Sequence, residues 1–177
     1  MIILKKDFIL KKRIKYYKTK IEKGDMFMEI PDIISRLNDD LTGEVEAILV
    51  YMNHHFTVAD KGTQLEMLEI ALDEMRHVQW LSEAIVDLGG EPELTPRRLR
   101  FNGKNVKEAL SHGKMLEHEA IIGYEKHMEE IDNPAIKRML NHIKEEEEDH
   151  LGEFSELLEE MEKSEEDRNS TVGDLTK

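Results

Sequence analysis

Cysteine is missing from all 177 residues. Its absence excludes disulfides, a thiolate nucleophile, a cysteine-held iron–sulfur cluster and a cysteine-based zinc site, and fits the reducing cytoplasm expected here. Aromatics make up only 6% of the chain, with 4 prolines and 10 glycines. A chain so poor in sheet formers and turn residues, and rich in Glu, Leu, Ile, Met and Lys, is expected to be all-α. No apolar run approaches the roughly 20 residues of a membrane span. The apolar start Met1–Leu4 meets Lys5 and Lys6 at once, so no membrane association and no signal peptide are expected. The net charge of −14 argues against a nucleic-acid partner, because phosphate binding needs a basic surface. An acidic shell instead concentrates cations.

Residues 1–25 depart from this balance, with nine Lys/Arg against three Asp/Glu. They read either as a basic arm for an anionic surface or, more simply, as an over-extended gene start. Met26 and Met28 are the alternative starts, and Pro31 would then stand in the first turn of a helix. The organisation expected is an N-terminal extension over 1–27, a helical bundle over 28–161 and a flexible tail over 162–177.

Helical periodicity supports four segments. The first runs from Pro31 to about Thr57, with Ile34, Leu37, Leu41, Ile48 and Met52 on one stripe. The second runs from about Lys61 to Leu88, where Gly89, Gly90 and Pro92 stop it. The third spans about Asn105 to Ile131 and the fourth about Pro134 to Met161. Links one–two and three–four are short, whereas 89–103 is long enough to travel the bundle's length. The fold expected is a four-helix bundle of two antiparallel hairpins joined by a long crossover.

Within that pattern the two halves repeat one constellation at a constant offset of 73 residues. Glu44, Tyr51, Glu74 and His77 answer to Glu117, Tyr124, Glu147 and His150. Each half has a helix with one inward Glu, then a Glu-x-x-His on the next helix. All four Glu fall on apolar seams, where an unpaired carboxylate would cost several kcal/mol. A run such as Glu145–Glu148 usually means a solvated face, but Glu147 shares its stripe with Ile143, Leu151 and Phe154. Four carboxylates at matched levels need a common counter-charge, and two divalent cations with two imidazoles supply it. His55 lies on the Glu44 stripe, yet its repeat equivalent is Met128, which makes it an access-path or core residue. His112, His118 and His142 have no partner pattern and are expected at the surface. Tyr51 and Tyr124, two turns beyond a Glu on the same face, are expected to pack with their hydroxyls on carboxylates.

Leu41-Thr-Gly-Glu-Val-Glu-Ala-Ile48 with Tyr51, Asp73-Glu-Met-Arg-His77, Leu88-Gly-Gly-Glu-Pro92 and Glu146-Glu-Glu-Asp-His150 resemble the ferritin-like superfamily, and its bacterioferritin branch most. The resemblance covers about residues 28–160. It implies that Glu44 and His77 hold one iron, that Glu117 and His150 hold the other, and that Glu74 and Glu147 bridge them. It further implies a homo-oligomeric ferroxidase and iron-storage protein that takes Fe²⁺ and O₂ or H₂O₂, with Tyr51 beside the reacting centre. In that branch the Met inside the second-helix motif, here Met75, can ligate haem across a two-fold interface. Haem-free relatives carry the same run. Rubrerythrins are similar too, but they add a cysteine-rich module and an acid where this chain has Ala120. The alternatives are a peroxide-detoxifying diiron or dimanganese enzyme, a haem-bearing cage-forming bacterioferritin, and a purely structural bundle. Finally, Thr171-Val-Gly-Asp-Leu175 is similar to the peptides that load cargo into encapsulin shells. It implies a shell partner for Thr171–Lys177, with Val172 and Leu175 as anchors.

Overall fold

The computed structural model describes residues 28–103 and 105–174, with side chains to residue 164. The expected basic extension and the last residues of the candidate shell peptide lie outside the described residues. Four helices follow in order: α1 (Ile30–Thr57), α2 (Lys61–Leu88), α3 (Val106–Glu130) and α4 (Pro134–Asp174). None is long and apolar enough to cross a membrane.

Local chemistry sets the boundaries. Pro31 stands at the start of α1, with Asp32 in its first turn; both suit the free N–H groups there. Asp60 caps α2, accepting from Thr63 N at 2.7 Å and Thr63 Oγ1 at 2.9 Å. Asn105 caps α3 by accepting from Glu108 N, and its amide returns to Glu108 Oε1, a reciprocal box. Asn133 caps α4 by accepting from Ala135 N and Ile136 N. α2 ends at Gly89, whose φ of 88° closes the last carbonyls in a conformation side chains resist.

The most extensive packing is α1 on α2 and α3 on α4, with thinner α1·α3 and α2·α4 seams. This is the expected pair of hairpins. The crossover lies along α1: Asn38 holds Glu91 O and Glu93 N, Arg97 N reaches Thr42 O, and Arg98 N reaches Glu46 Oε2. Two apolar clusters result. One gathers Ile33, Leu37, Leu41, Leu81, Ile85, Ile131, Leu140 and Ile143. The other gathers Val50, Met67, Ile70, Ala71, Leu110 and Phe154. On every helix the residues between the two clusters are those of the repeated constellation, so a polar layer crosses the bundle at mid-height.

Two differences from expectation stand out. On α1, Ile33 and Val50 are buried, while Ile34, Ile48 and Met52 are only half-buried. A helix packed against two neighbours buries a wider arc than one stripe. And α4 continues to Asp174, through the segment whose composition suggested a flexible tail. Its Glu, Lys, Asp and Arg are polar all round, but most are good helix formers, none is Pro, and the helix carries on from a packed stem.

Candidate dinuclear metal centre

All six ligand-type side chains converge in this layer, each 4% exposed or less. α1 supplies Glu44, α2 Glu74 and His77, α3 Glu117, and α4 Glu147 and His150. On α2 and α4 the i,i+3 spacing stacks Glu and His on one face. His77 Nδ1 lies 2.8 Å from Glu74 Oε2, 2.9 Å from Glu147 Oε1 and 3.7 Å from Glu44 Oε2. His150 Nδ1 lies 3.3 Å from Glu147 Oε2 and 3.4 Å from Glu74 Oε1. The donor atoms form two groups, each within 4.8 Å: Glu44, Glu74, His77 and Glu147, and Glu74, Glu117, Glu147 and His150. Glu74 and Glu147 belong to both.

The surroundings brace this layer from hairpin to hairpin. Tyr51 on α1 donates its hydroxyl to Glu117 on α3, and Tyr124 on α3 donates to Glu44 on α1. Outward from the layer, His77 Nε2 is 2.8 Å from Glu146 Oε2 on α4. His150 Nε2 faces Asp73 Oδ2 on α2 at 3.6 Å. Such outer carboxylates fix which imidazole nitrogen points inward.

Charge is unevenly held. Burial, then the neighbouring Glu147 and Glu74, push the Glu44 and Glu117 carboxyls well above the ordinary range. Burial would raise Glu74 as well, but polar contacts from His150 and His77 outweigh it and hold its carboxyl low. Burial works against both imidazolium forms. Glu147, Glu44 and Glu74 nevertheless raise His77 strongly, and Glu147 and Glu74 raise His150 to about 10. Without metal, protons on the imidazoles are the counter-charge of the layer.

The residues fit a pair of divalent cations. Glu74 Oε1 and Glu147 Oε1 are buried without an aligned hydrogen bond, and both belong to the carboxylates common to the two groups. Each faces an imidazole nitrogen, at 3.4 Å and 2.9 Å, and buried acceptors without a well-aligned hydrogen bond are rare and costly. Two divalent cations would satisfy both atoms and balance four carboxylates. Carboxylate and imidazole donors suit iron and manganese alike.

The remaining sequence candidates fall elsewhere. Met75 is 55% exposed on α2, outside the polar layer. His55 is in neither group; its Nδ1 meets Gln64 O at 2.6 Å. His118 and His142 are exposed. His112 corrects the expectation of a surface residue. It is buried, with Nδ1 at 3.4 Å from His54 Nε2, where the end of the crossover folds back over α1 and α3. Sequence reasoning missed Glu146 and Asp73, although the same 73-residue offset relates them. His54 and His127 repeat at the same offset but carried no role in the sequence; both are buried, and nothing in the sequence marked Asp40, whose Oδ1 lies 2.7 Å from His127 Nδ1.

An all-helical bundle with four Glu and two His gathered at mid-height defines a protein arranged around a dinuclear centre. The chain belongs to the ferritin-like family, whose domain profile matches residues 34–164. It is 30% identical over 131 residues to the bacterioferritin of Desulfovibrio desulfuricans, spanning 71% of this chain and 73% of that protein. It is 33% identical over 128 residues to the bacterioferritin of Brucella melitensis, spanning 68% and 79%. The solved D. desulfuricans structure, which describes a diiron site in different catalytic states, superposes with a TM-score of 0.72 at 28% identity. It covers 76% of this chain and 82% of that one. A ferritin-like diiron-carboxylate protein of Bacillus anthracis gives 0.68 at 30% identity, over 75% and 99%.

Proposed function

We propose that this protein is a ferroxidase. It binds two Fe²⁺ per chain, with Glu44 and His77 on one ion, Glu117 and His150 on the other, and Glu74 and Glu147 shared. The observation that carries this reading is the overlap of the two donor groups in Glu74 and Glu147, both fully buried and each with one oxygen that faces an imidazole without an aligned hydrogen bond. Each Fe²⁺ substrate gives one electron to O₂ or peroxide, and Fe³⁺ leaves for storage. The chain's part is to hold two like-charged ions close together and to exclude bulk water with the apolar clusters above and below. It also keeps the carboxylates in place through Tyr51 and Tyr124, whose hydroxyls fix Glu117 and Glu44 from opposite hairpins. Tyr51, with its hydroxyl kept protonated by burial and by Glu117, acts as a hydrogen-bond donor in this scheme.

The test is anaerobic Fe²⁺ titration of metal-free protein, followed by mixing with O₂ and, separately, with peroxide. Saturation near two Fe²⁺ per chain with fast oxidation is expected, and its loss in Glu74→Ala with the helical fold retained. Peroxide consumption with manganese and no net Fe²⁺ oxidation would replace the reading with a peroxide-detoxifying one.

Three further assignments belong to this proposal. Leu65, Leu72, Met75 and Val86 are all exposed on α2 and favour a homo-oligomeric contact there. Haem ligation by Met75 across that contact predicts loss of haem in Met75→Leu. Docking of Thr171–Lys177 in an encapsulin shell predicts that truncation after Arg168 leaves the protein outside a co-expressed shell. The site of action proposed is the cytoplasm or such a compartment within it.

A further inference from the structure

His54 on α1 and His112 on α3 bring two imidazoles together across the hairpins, and neither belongs to the donor groups of the dinuclear layer. His54 is fully buried and His112 is 7% exposed. Their facing nitrogens, His54 Nε2 and His112 Nδ1, are 3.4 Å apart, with the rings at 78°. A hydrogen bond from a ring N–H runs about 2.7–3.2 Å, so the contact is a poor one. It is instead the spacing of two imidazoles on one tetrahedral ion, because about 2.0–2.1 Å to each nitrogen gives an edge of about 3.3–3.4 Å. The duplication sharpens the point. At the repeat positions His127 Nε2 faces Asp39 Oδ2 at 3.8 Å, an imidazole against an acid. At His54 the acid is replaced by a second base, and nothing electron-poor stands between the two rings.

We propose that His54 and His112 form a separate mononuclear site for one late first-row divalent cation, Zn²⁺ or Cu²⁺, with waters as its remaining ligands. The site does not rest on the ferroxidase reading. Burial lowers both imidazoles, His54 to about 4, so each is neutral and offers a lone pair, while Glu46 and Glu119 favour positive charge at His112. Neutral imidazole is the form that binds metal. The His112 ring also bonds to the Asn102 backbone, the kind of outer contact that sets the tautomer of a ligand imidazole. His54 Nδ1 has no partner, so that ring makes its polar contact at Nε2 alone. Gly103, at φ 112°, closes over the pair; an added Cβ would lie 2.9 Å from His54 Cε1, beside Nε2. Two imidazoles without a carboxylate suit Zn²⁺ or Cu²⁺ better than Mn²⁺ or Mg²⁺. Among the described residues, three or more close ligand atoms gather only in the dinuclear layer, so this ion is the weaker one. Its binding would pin α1 to α3 where the crossover ends.

The test is equilibrium dialysis of metal-free full-length protein against Zn²⁺ near neutral pH. Wild-type protein should hold one ion per chain more than His112→Ser or His54→Gln, and both variants should keep the ions of the dinuclear layer. His118→Gln/His142→Gln, which removes two exposed imidazoles, should keep the extra ion. Wild-type protein without that ion overturns the proposal, as does an extra ion that His112→Ser and His54→Gln both retain. If neither of those variants folds, the His118→Gln/His142→Gln protein decides: loss of the extra ion there overturns the proposal, and retention supports it. Failure of the ferroxidase reading is a different result, in which the layer takes up no ions and the one ion lost in His112→Ser is still found.

Discussion

The two halves of the chain offer the same ligands but surround them differently. In the first, His77 is locked from outside by Glu146 at 2.8 Å. In the second, His150 stands 3.6 Å from Asp73. The repeat mate of Asp40 is Gly113, and an added Cβ there would lie 2.7 Å from the Phe154 ring. So the Asp40 end of the layer has a polar cleft, and the Gly113 end is sealed by an aromatic. A duplicated ligand set constrains only the atoms that must meet; the outer positions of each half were free to differ, with an acid paired to His127 on one side and a glycine under an aromatic ring on the other.

Substitution of a residue shared by both donor groups is the most severe way to break the comparison. Glu74→Ala or Glu147→Ala should cost both ions, and dialysis with Co²⁺ should return fewer than one tight ion per chain. Glu44→Ala and Glu117→Ala should each cost one. Equal loss in all four variants would mean that the halves do not divide the ions between them.

Acidity should separate metal-free from metal-loaded protein. His150, raised from its ordinary value to about 10, stabilises the metal-free fold fully below about pH 6.5 and loses that contribution as pH rises through about 10. The raised Glu44 and Glu117 act in the same direction, since their ionisation above the unfolded value is resisted in the fold. Glu74, held low, contributes fully above its unfolded value and loses that only in acid. The metal-free melting temperature should therefore fall from pH 6 to pH 9. Bound divalent ions replace the imidazole protons, so the loaded protein should show a smaller fall, and loading should release protons that a pH indicator can count. A flat metal-free profile would contradict the charge distribution in the layer.

Unequal bracing makes a smaller difference between the halves. Glu146→Gln should weaken binding of one Co²⁺ by about 10–100-fold, the usual cost of losing an outer carboxylate on a ligand imidazole. Asp73→Asn should weaken the other by less. Identical effects would show that metal binding draws His150 and Asp73 together and erases the difference.

How much of this was legible follows from what repeats and what does not. Glu44, Glu74, Glu117 and Glu147 could be placed inside because each breaks an apolar seam at a matched level. The crossover could be placed because Gly89, Gly90 and Pro92 stop a helix too far from Asn105 for a tight turn. Glu146 hid in a run of acids that looks like a solvated face, and Asp73 hid beside a ligand. Asp40 has a glycine as repeat mate, so duplication gave it no signal, and only the packing of α1 against α3 shows its bond to His127. The helix beyond Met161 illustrates a different limit: composition reports the lack of an apolar face, but a helix already nucleated and packed needs none to continue.

The gentlest probe of the sealed end compares two glycines of the second hairpin. Gly113 and Gly152 both lie within helices, where glycine costs about 0.5–1 kcal/mol relative to alanine. At Gly152 an added Cβ meets nothing within 4 Å, so Gly152→Ala should stabilise the fold by about that amount. At Gly113 the same methyl meets three atoms of the Phe154 ring at 2.7–3.1 Å. Phe154 is fully buried and packs on Tyr51 at 5.6 Å between ring centroids, so the ring cannot yield without moving the tyrosine that holds Glu117. Gly113→Ala should thus lose about 1–3 kcal/mol by overpacking despite its better helix propensity, as read from urea midpoints at constant slope. It should also weaken the Glu117 ion more than the Glu44 ion, because the strain reaches the layer through Tyr51. A stabilised Gly113→Ala protein with unchanged metal binding would mean that Phe154 is a soft plug, and that the closed end of the layer is closed by chance rather than by packing.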